Sequence, residues 1–175
     1  MAIRYQSKVK LIILAAAGLL SWIIFRVPAD LFFDPRGFTE SAALACGVTA
    51  LFVLINLIVI FIMEKKKIYV DTITAIEFAP TNVVSAFAEE MLFRGTALYL
   101  MLPLGMGLAV VLSSTLFGLA HFNNPRGSMI ITFIFGLFMA LIVAVTHNLI
   151  GPMIAHFLLN VAGGDLFTQQ ERKNR

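Results

Sequence analysis

The chain has 175 residues, 59% of them hydrophobic and only 13% charged, with a formal net charge of +3. Soluble domains carry about a quarter charged residues and about half apolar ones, and the apolar residues here stand in long blocks that a soluble fold would leave in water. The basic residues gather at block ends without polar and aromatic contact residues among them, which excludes a nucleic-acid groove. The single cysteine, Cys46, excludes an intrachain disulfide and reads as a small buried apolar residue.

The first apolar block covers residues 9–25 and follows Arg4, Lys8 and Lys10. Arg26, Val27 and Pro28 make a poor small-residue cleavage site, so the block reads as a retained helix and not as a signal peptide. A polar interval with Asp30, Asp34, Pro35, Arg36 and Glu40 leads to the second block, residues 41–63, long enough to cross a bilayer with some tilt. Glu64, Lys65, Lys66 and Lys67 close it, and the mixed segment 68–80, with Asp71 and Glu77, is expected near the interface. A third helix is predicted after Pro80, with Thr81 or Asn82 as its N-cap, and it reaches Leu102. It carries Glu89, Glu90 and Arg94 inside an apolar span. Pro103 and Gly105 break it, and a fourth block runs to Phe122 with His121 near its end. Residues 123–127 have the composition of a tight turn. The fifth block spans 128–146, and after His147 and Asn148 the sixth spans 149–167, with His156 and Asn160 inside it.

The whole chain, 1–175, therefore reads as one all-α membrane domain: a polytopic bundle of about six transmembrane helices with an intramembrane active-site cavity. With a cytoplasmic N-terminus, the lysine triplet, Arg126 and the basic tail all fall on the cytoplasmic side, so both termini are expected there. The same topology puts Glu89 and Glu90 about two turns into the third helix from the cytoplasmic side, His121 near the cytoplasmic end of the fourth and His156 in the middle of the sixth, positions compatible with one cavity in the cytoplasmic half of the bilayer. Gly105, Gly107, Gly118 and Gly136 are read as sites of close helix packing, Gly163-Gly164 as a C-cap, and Trp22 and Tyr69 as interfacial anchors. His147 matches no pattern and reads as an exposed turn histidine.

A charge at mid-helix in a bilayer costs about 2.5–3.5 kcal/mol on insertion scales, so the polar residues of the third span must be paired or face a wet cavity. Glu90 and Arg94 stand four apart and can pair on one face. Glu89 is turned about 100° away and has no partner at helical spacing in its own helix, which leaves His121 and His156 on other helices. The bland alternative is polar glue between helices. Two histidines, a spare carboxylate and an asparagine exceed what glue requires. They leave two chemistries open. Glu89 with His121 can activate a water while His156 and Asn160, four apart on one face, donate to an oxyanion. The alternative needs a cofactor, a divalent metal such as zinc held by Glu89, His121 and His156.

Glu89-Glu90-Met91-Leu92-Phe93-Arg94 fits EExxxR, Phe117-Gly118-Leu119-Ala120-His121 fits FxxxH, and His156-Phe157-Leu158-Leu159-Asn160 fits HxxxN. In this order on successive membrane helices they resemble the CPBP family, which includes the type II CAAX prenyl endopeptidases and compact bacterial relatives. The resemblance covers about residues 82–163, the expected catalytic core. It implies an intramembrane endopeptidase, of glutamate or metal type, in which Glu89 and His121 activate water and His156 and Asn160 form the oxyanion site. Glu90 and Arg94 would support that site and Phe117 would line it. The implied partners are the lipid bilayer and a membrane-associated protein or peptide cut near its C-terminal tail. Rival readings are a non-catalytic immunity or scaffold protein, and a proton-coupled transporter that uses Glu89 and the histidines as a relay.

Overall fold

A chain segment with few polar side chains satisfies its amides most completely as a helix, and the apolar blocks fold accordingly. A computed structural model describes residues 2–59, 61, 68–122, 129–162 and 167–169. The side chains of Arg4, Lys8, Lys10 and Tyr69, the lysine triplet, the turn at 123–127, Gly163-Gly164 and the basic tail lie outside the described residues. The helices are α1 (Ala2–Ile24), α2 (Phe38–Ile58), α3 (Thr72–Glu90), α4 (Leu98–Met101), α5 (Met106–Ala120), α6 (Met129–Thr146) and α7 (Ile150–Asn160). A π-helical stretch, Met91–Ala97, joins α3 to α4. Among the described residues the regular structure is helical but for a short antiparallel ribbon, β1 (Ile68–Val70) with β2 (Phe167–Gln169), in which Tyr69 pairs with Thr168.

Two helical stretches, Pro35–Ile58 and Met129–Thr146, are long and apolar enough to cross a membrane, and Leu11–Ile24, Met106–Ala120 and Ile150–Asn160 are shorter apolar helices. Two element bounds differ from expectation. The third helix starts at Thr72, because Asp71 caps it by accepting from the Thr74 amide at 3.0 Å. That bond holds the Asp71 carboxyl below its ordinary range. Pro80 is exposed inside the helix, where it removes one backbone bond without ending it. Glu89 and Glu90 consequently close a 19-residue helix, and are not two turns from its start. The last helix ends at Asn160, and Phe167 belongs to β2. Pro103 and Gly105 do end the third span, since Gly105 has φ 95°, a conformation that L side chains rarely adopt.

The helices close around two adjoining apolar clusters. One gathers Phe32, Met91, Leu98, Val143 and Leu149, and the other Ala45, Phe117, Phe135, Met139 and Ala155. α2 packs on α7, α5 on α6, and α1 on α3 and the π stretch. Cys46 is only half-buried, so it is not a core residue. A Cβ on Gly118 or Gly136 would crowd a neighbouring helix, as expected, whereas Gly105 and Gly107 face open space.

A polar latch ties the α1–α2 connection to the α6–α7 turn. Asn148, 1% exposed, donates from Nδ2 to the Asp34 carbonyl at 2.9 Å and accepts from the Ile150 amide at 3.0 Å. Its own carbonyl accepts from Ser41 Oγ at 2.9 Å, and the Asp34 amide donates to the His147 carbonyl at 3.0 Å. His147 is exposed in this turn, as expected. Arg36 donates to the Asp34 carboxylate through Nε and Nη2, which holds that carboxyl below the ordinary range.

Candidate active site

The acidic pair at the end of α3 faces inward because the π stretch that follows carries Arg94 beneath it. Arg94 Nη1 donates to Glu90 Oε1 at 2.9 Å, and both side chains are fully buried. This is the ion pair expected at four-residue spacing. The guanidinium carbon lies 3.8 Å from the Phe117 ring centroid, a cation–π contact, so α5 supplies the floor on which the arginine rests. Gly136 on α6 leaves room for the arrangement. A Cβ there would come within 3.2 Å of Phe117 Cδ1 and 3.3 Å of Arg94 Nη2.

His156 on α7 stands between the two carboxylates. Its Nδ1 is 2.8 Å from Glu90 Oε1, and its Nε2 is 3.7 Å from Glu89 Oε2. His121, at the end of α5, approaches the same oxygen from the other side, with Nε2 3.4 Å from Glu89 Oε2. Its Nδ1 is 2.9 Å from the Phe117 carbonyl. Phe117 also packs against both rings, with centroids 4.6 Å from His121 and 5.6 Å from His156.

Those partners determine where the ring protons sit. A carbonyl accepts only, so His121 Nδ1 must donate to Phe117. Glu90 Oε1 already accepts from Arg94, so His156 Nδ1 donates as well. In the neutral rings both Nε2 atoms then carry lone pairs, and both face a carboxylate oxygen that is also an acceptor. Glu89 Oε2 is buried and has no hydrogen-bond partner among the described residues. Three lone pairs meeting at 3.4–3.7 Å need hydrogens from elsewhere, either a second proton on a ring or a water between them.

Ligands about 2.1 Å from a tetrahedral ion stand about 3.4 Å apart, so these two edges have the spacing of zinc ligands. Among the described residues, however, no group of three or more His, Cys, Asp or Glu converges as a metal site. The donor set as placed does not close around an ion.

Glu89, Glu90, Arg94, Phe117, His121 and His156 are thus brought together. Asn160 ends α7 one turn beyond His156, half-buried, and its side chain makes no hydrogen bond among the described residues. Two neighbours went unread. Ser85 Oγ donates to Glu89 Oε1 at 2.8 Å, so Glu89 does have a partner at helical spacing, a hydroxyl where only ionisable groups were sought. Trp22, expected as an interfacial anchor, also donates from its indole Nε1 to the Met91 carbonyl at 2.9 Å, a contact 69 residues apart that no local pattern could indicate.

A family model described as "Rce1-like: Type II CAAX prenyl endopeptidase Rce1-like" matches residues 71–162, a stretch that holds every residue of this cluster. No curated protein and no solved structure matches the chain.

Proposed function

The chain belongs to the Rce1-like type II CAAX prenyl endopeptidase family, and from that premise we propose that it is a multi-pass intramembrane endopeptidase cutting a membrane-associated protein or peptide near its C-terminal tail. Membership makes it a membrane protein of a protease family. What carries the specific reading is Glu89 Oε2, a buried carboxylate oxygen left without a donor between two imidazoles whose other nitrogens are committed.

Water in that slot can donate to Glu89 Oε2 and be steered by the lone pair of His121 Nε2. Glu89 takes the proton as the oxygen attacks the scissile carbonyl, and returns it to the amine nitrogen as the C–N bond breaks. The separations of 3.4 and 3.7 Å exceed a direct hydrogen bond, as is usual before substrate tightens a site. His156 can serve the developing oxyanion only when its ring carries both protons, since Nδ1–H is already given to Glu90. Nε2–H then points at the oxyanion, and Asn160, one turn away on the same face, supplies the second donor. Glu90, Arg94 and Phe117 hold His156 in that orientation, with its Nδ1–H on Glu90. The exposed apolar residues on α1, α2, α5 and α6, including Ile12, Leu54, Leu108 and Ile131, are the lipid-facing surface of this reading, with both termini cytoplasmic.

The test maps protein C-termini and released peptides by mass spectrometry in cells carrying the wild type or Glu89→Gln. A discrete set of membrane-associated proteins should keep its tails only with the variant. Identical profiles, with both proteins folded and equally abundant, would overturn the proposal.

A further inference from the structure

Helix α1 lies outside residues 71–162, yet it grips the site helix. Both hydrogen bonds from its side chains to another element, among the described residues, end on the π stretch. Trp22 Nε1 donates to the Met91 carbonyl at 2.9 Å, and Ser21 Oγ lies 2.7 Å from Thr96 Oγ1. Since Ser21 Oγ donates to the Gly18 carbonyl at 2.8 Å, Thr96 is the donor to Ser21. The approach is as close as backbone allows. A Cβ on Gly18 would sit 2.8 Å from the Ala88 carbonyl oxygen, and one on Gly95 would overlap the Trp22 indole nitrogen. The two bonds therefore grip both ends of Met91–Ala97, and the indole lies against Gly95 between them.

A π-helical stretch bonds each amide one residue further back than an α-helix does, and such stretches are rare except where function uses them. Here it sets the relation between Glu90, before the wide turns, and Arg94, within them. If the stretch relaxed to α register, the residues past it would turn by about 100°, the angle of one residue, relative to Glu89 and Glu90. Arg94, inside the stretch, would turn by part of that angle and leave its place against the Phe117 ring. Four-residue spacing would still let it pair with Glu90, but only by moving Glu90 Oε1, the oxygen that also holds His156 Nδ1–H. Phe32 and Phe33, with ring centroids 5.7 and 5.6 Å from Trp22, hold the indole in place from the other side.

We infer that Trp22 is a positioning residue whose indole N–H maintains the π register, and through Glu90 and Arg94 the Nδ1–H tautomer of His156. This rests on the peptidase reading for its effect on cleavage, but not for its effect on His156.

Trp22 is the only tryptophan in the chain, so biosynthetic replacement of tryptophan by benzothienylalanine changes one N–H to sulfur and nothing else. The replaced protein, with Trp22→Phe alongside it, is compared with wild type in two readouts. The first is the 15N resonance of His156 Nδ1 in lipid nanodiscs, assigned among three histidines with a His156→Asn control. The second is the rate of Glu89-dependent tail removal in cells. The expected result is a displaced or doubled His156 signal and a cleavage rate lower by about 10–100-fold at unchanged abundance. A His156 signal identical to wild type in the benzothienyl protein overturns the inference, whatever the cleavage rate, since an indole that only packs keeps its shape there. A displaced signal in a chain that shows no Glu89-dependent cleavage upholds the clamp and sinks the peptidase reading.

Discussion

Two buried polar networks among the described residues, the Asn148 latch and the cluster at the end of α3, differ in one respect. In the Asn148 latch the amide nitrogen, the amide oxygen and the backbone carbonyl all have partners. In the cluster at the end of α3, Glu89 Oε2, Glu90 Oε2, Arg94 Nε and Arg94 Nη2 are buried with none among the described residues. An unmade hydrogen bond costs about 1–3 kcal/mol in a buried site, more for a charged group. A fold that needed only to hold helices together would resemble the latch throughout. Incomplete pairing around Glu89 is what a site waiting for water and substrate must keep, and the latch shows that the chain can pair such groups fully where no chemistry intervenes.

The sharpest way to break this contrast is Glu89→Gln. It keeps the shape, removes an underpaired charge, and should reduce tail cleavage by about 10²–10⁴-fold. The thermal midpoint in detergent should hold or rise. A large fall in midpoint would make Glu89 structural and the contrast false. Asn148→Ala should do the reverse. The Ile150 amide is left without its partner, while the Asp34 carbonyl loses one donor and keeps the Gly37 amide at 3.2 Å, so the loss is about 1–3 kcal/mol of stability, with cleavage per folded molecule unchanged. A stable variant with poor cleavage would show that the latch takes part in function. Ser85→Ala sharpens the comparison within the site. Glu89 Oε1 loses its one donor, and cleavage should fall about tenfold without a change in midpoint, while Ser85→Thr restores most of it. The smallest effect concerns Asp71, outside the spans. Its carboxyl is held low by the Thr74 amide, so the stabilisation is complete above the ordinary carboxylate value and fades as pH falls through the lowered one. Amide exchange near Thr74 should quicken there, with the Glu89 end of α3 protected. Equal quickening at both ends would mean that acid acts on the whole helix.

Much of this was legible in local spacing. The helical blocks, the Glu90–Arg94 pair, the exposure of His147 and the histidines as partners for Glu89 follow from apolar runs and four-residue periods, because those are properties of one helix at a time. The start of α3 was misread because Pro80 is a strong breaker by composition, and only its exposed position lets the helix pass through it. The end of α7 differs because apolarity continues to Phe167 while Phe167–Gln169 pairs as a strand with Ile68–Val70, a pairing between residues about 100 apart that no local pattern shows.

What the sequence by itself determined is which residues carry charge into apolar helices, since the cost of burying them makes each one conspicuous. What only the tertiary structure decided is which atoms of those residues are occupied. The Phe117 carbonyl and Glu90 take the Nδ1 protons of His121 and His156, and Trp22 reaches across 69 residues to hold the π stretch. These are contacts between helices, made by backbone carbonyls and ring edges that have no signature in spacing. They determine whether an imidazole presents a proton or a lone pair to Glu89.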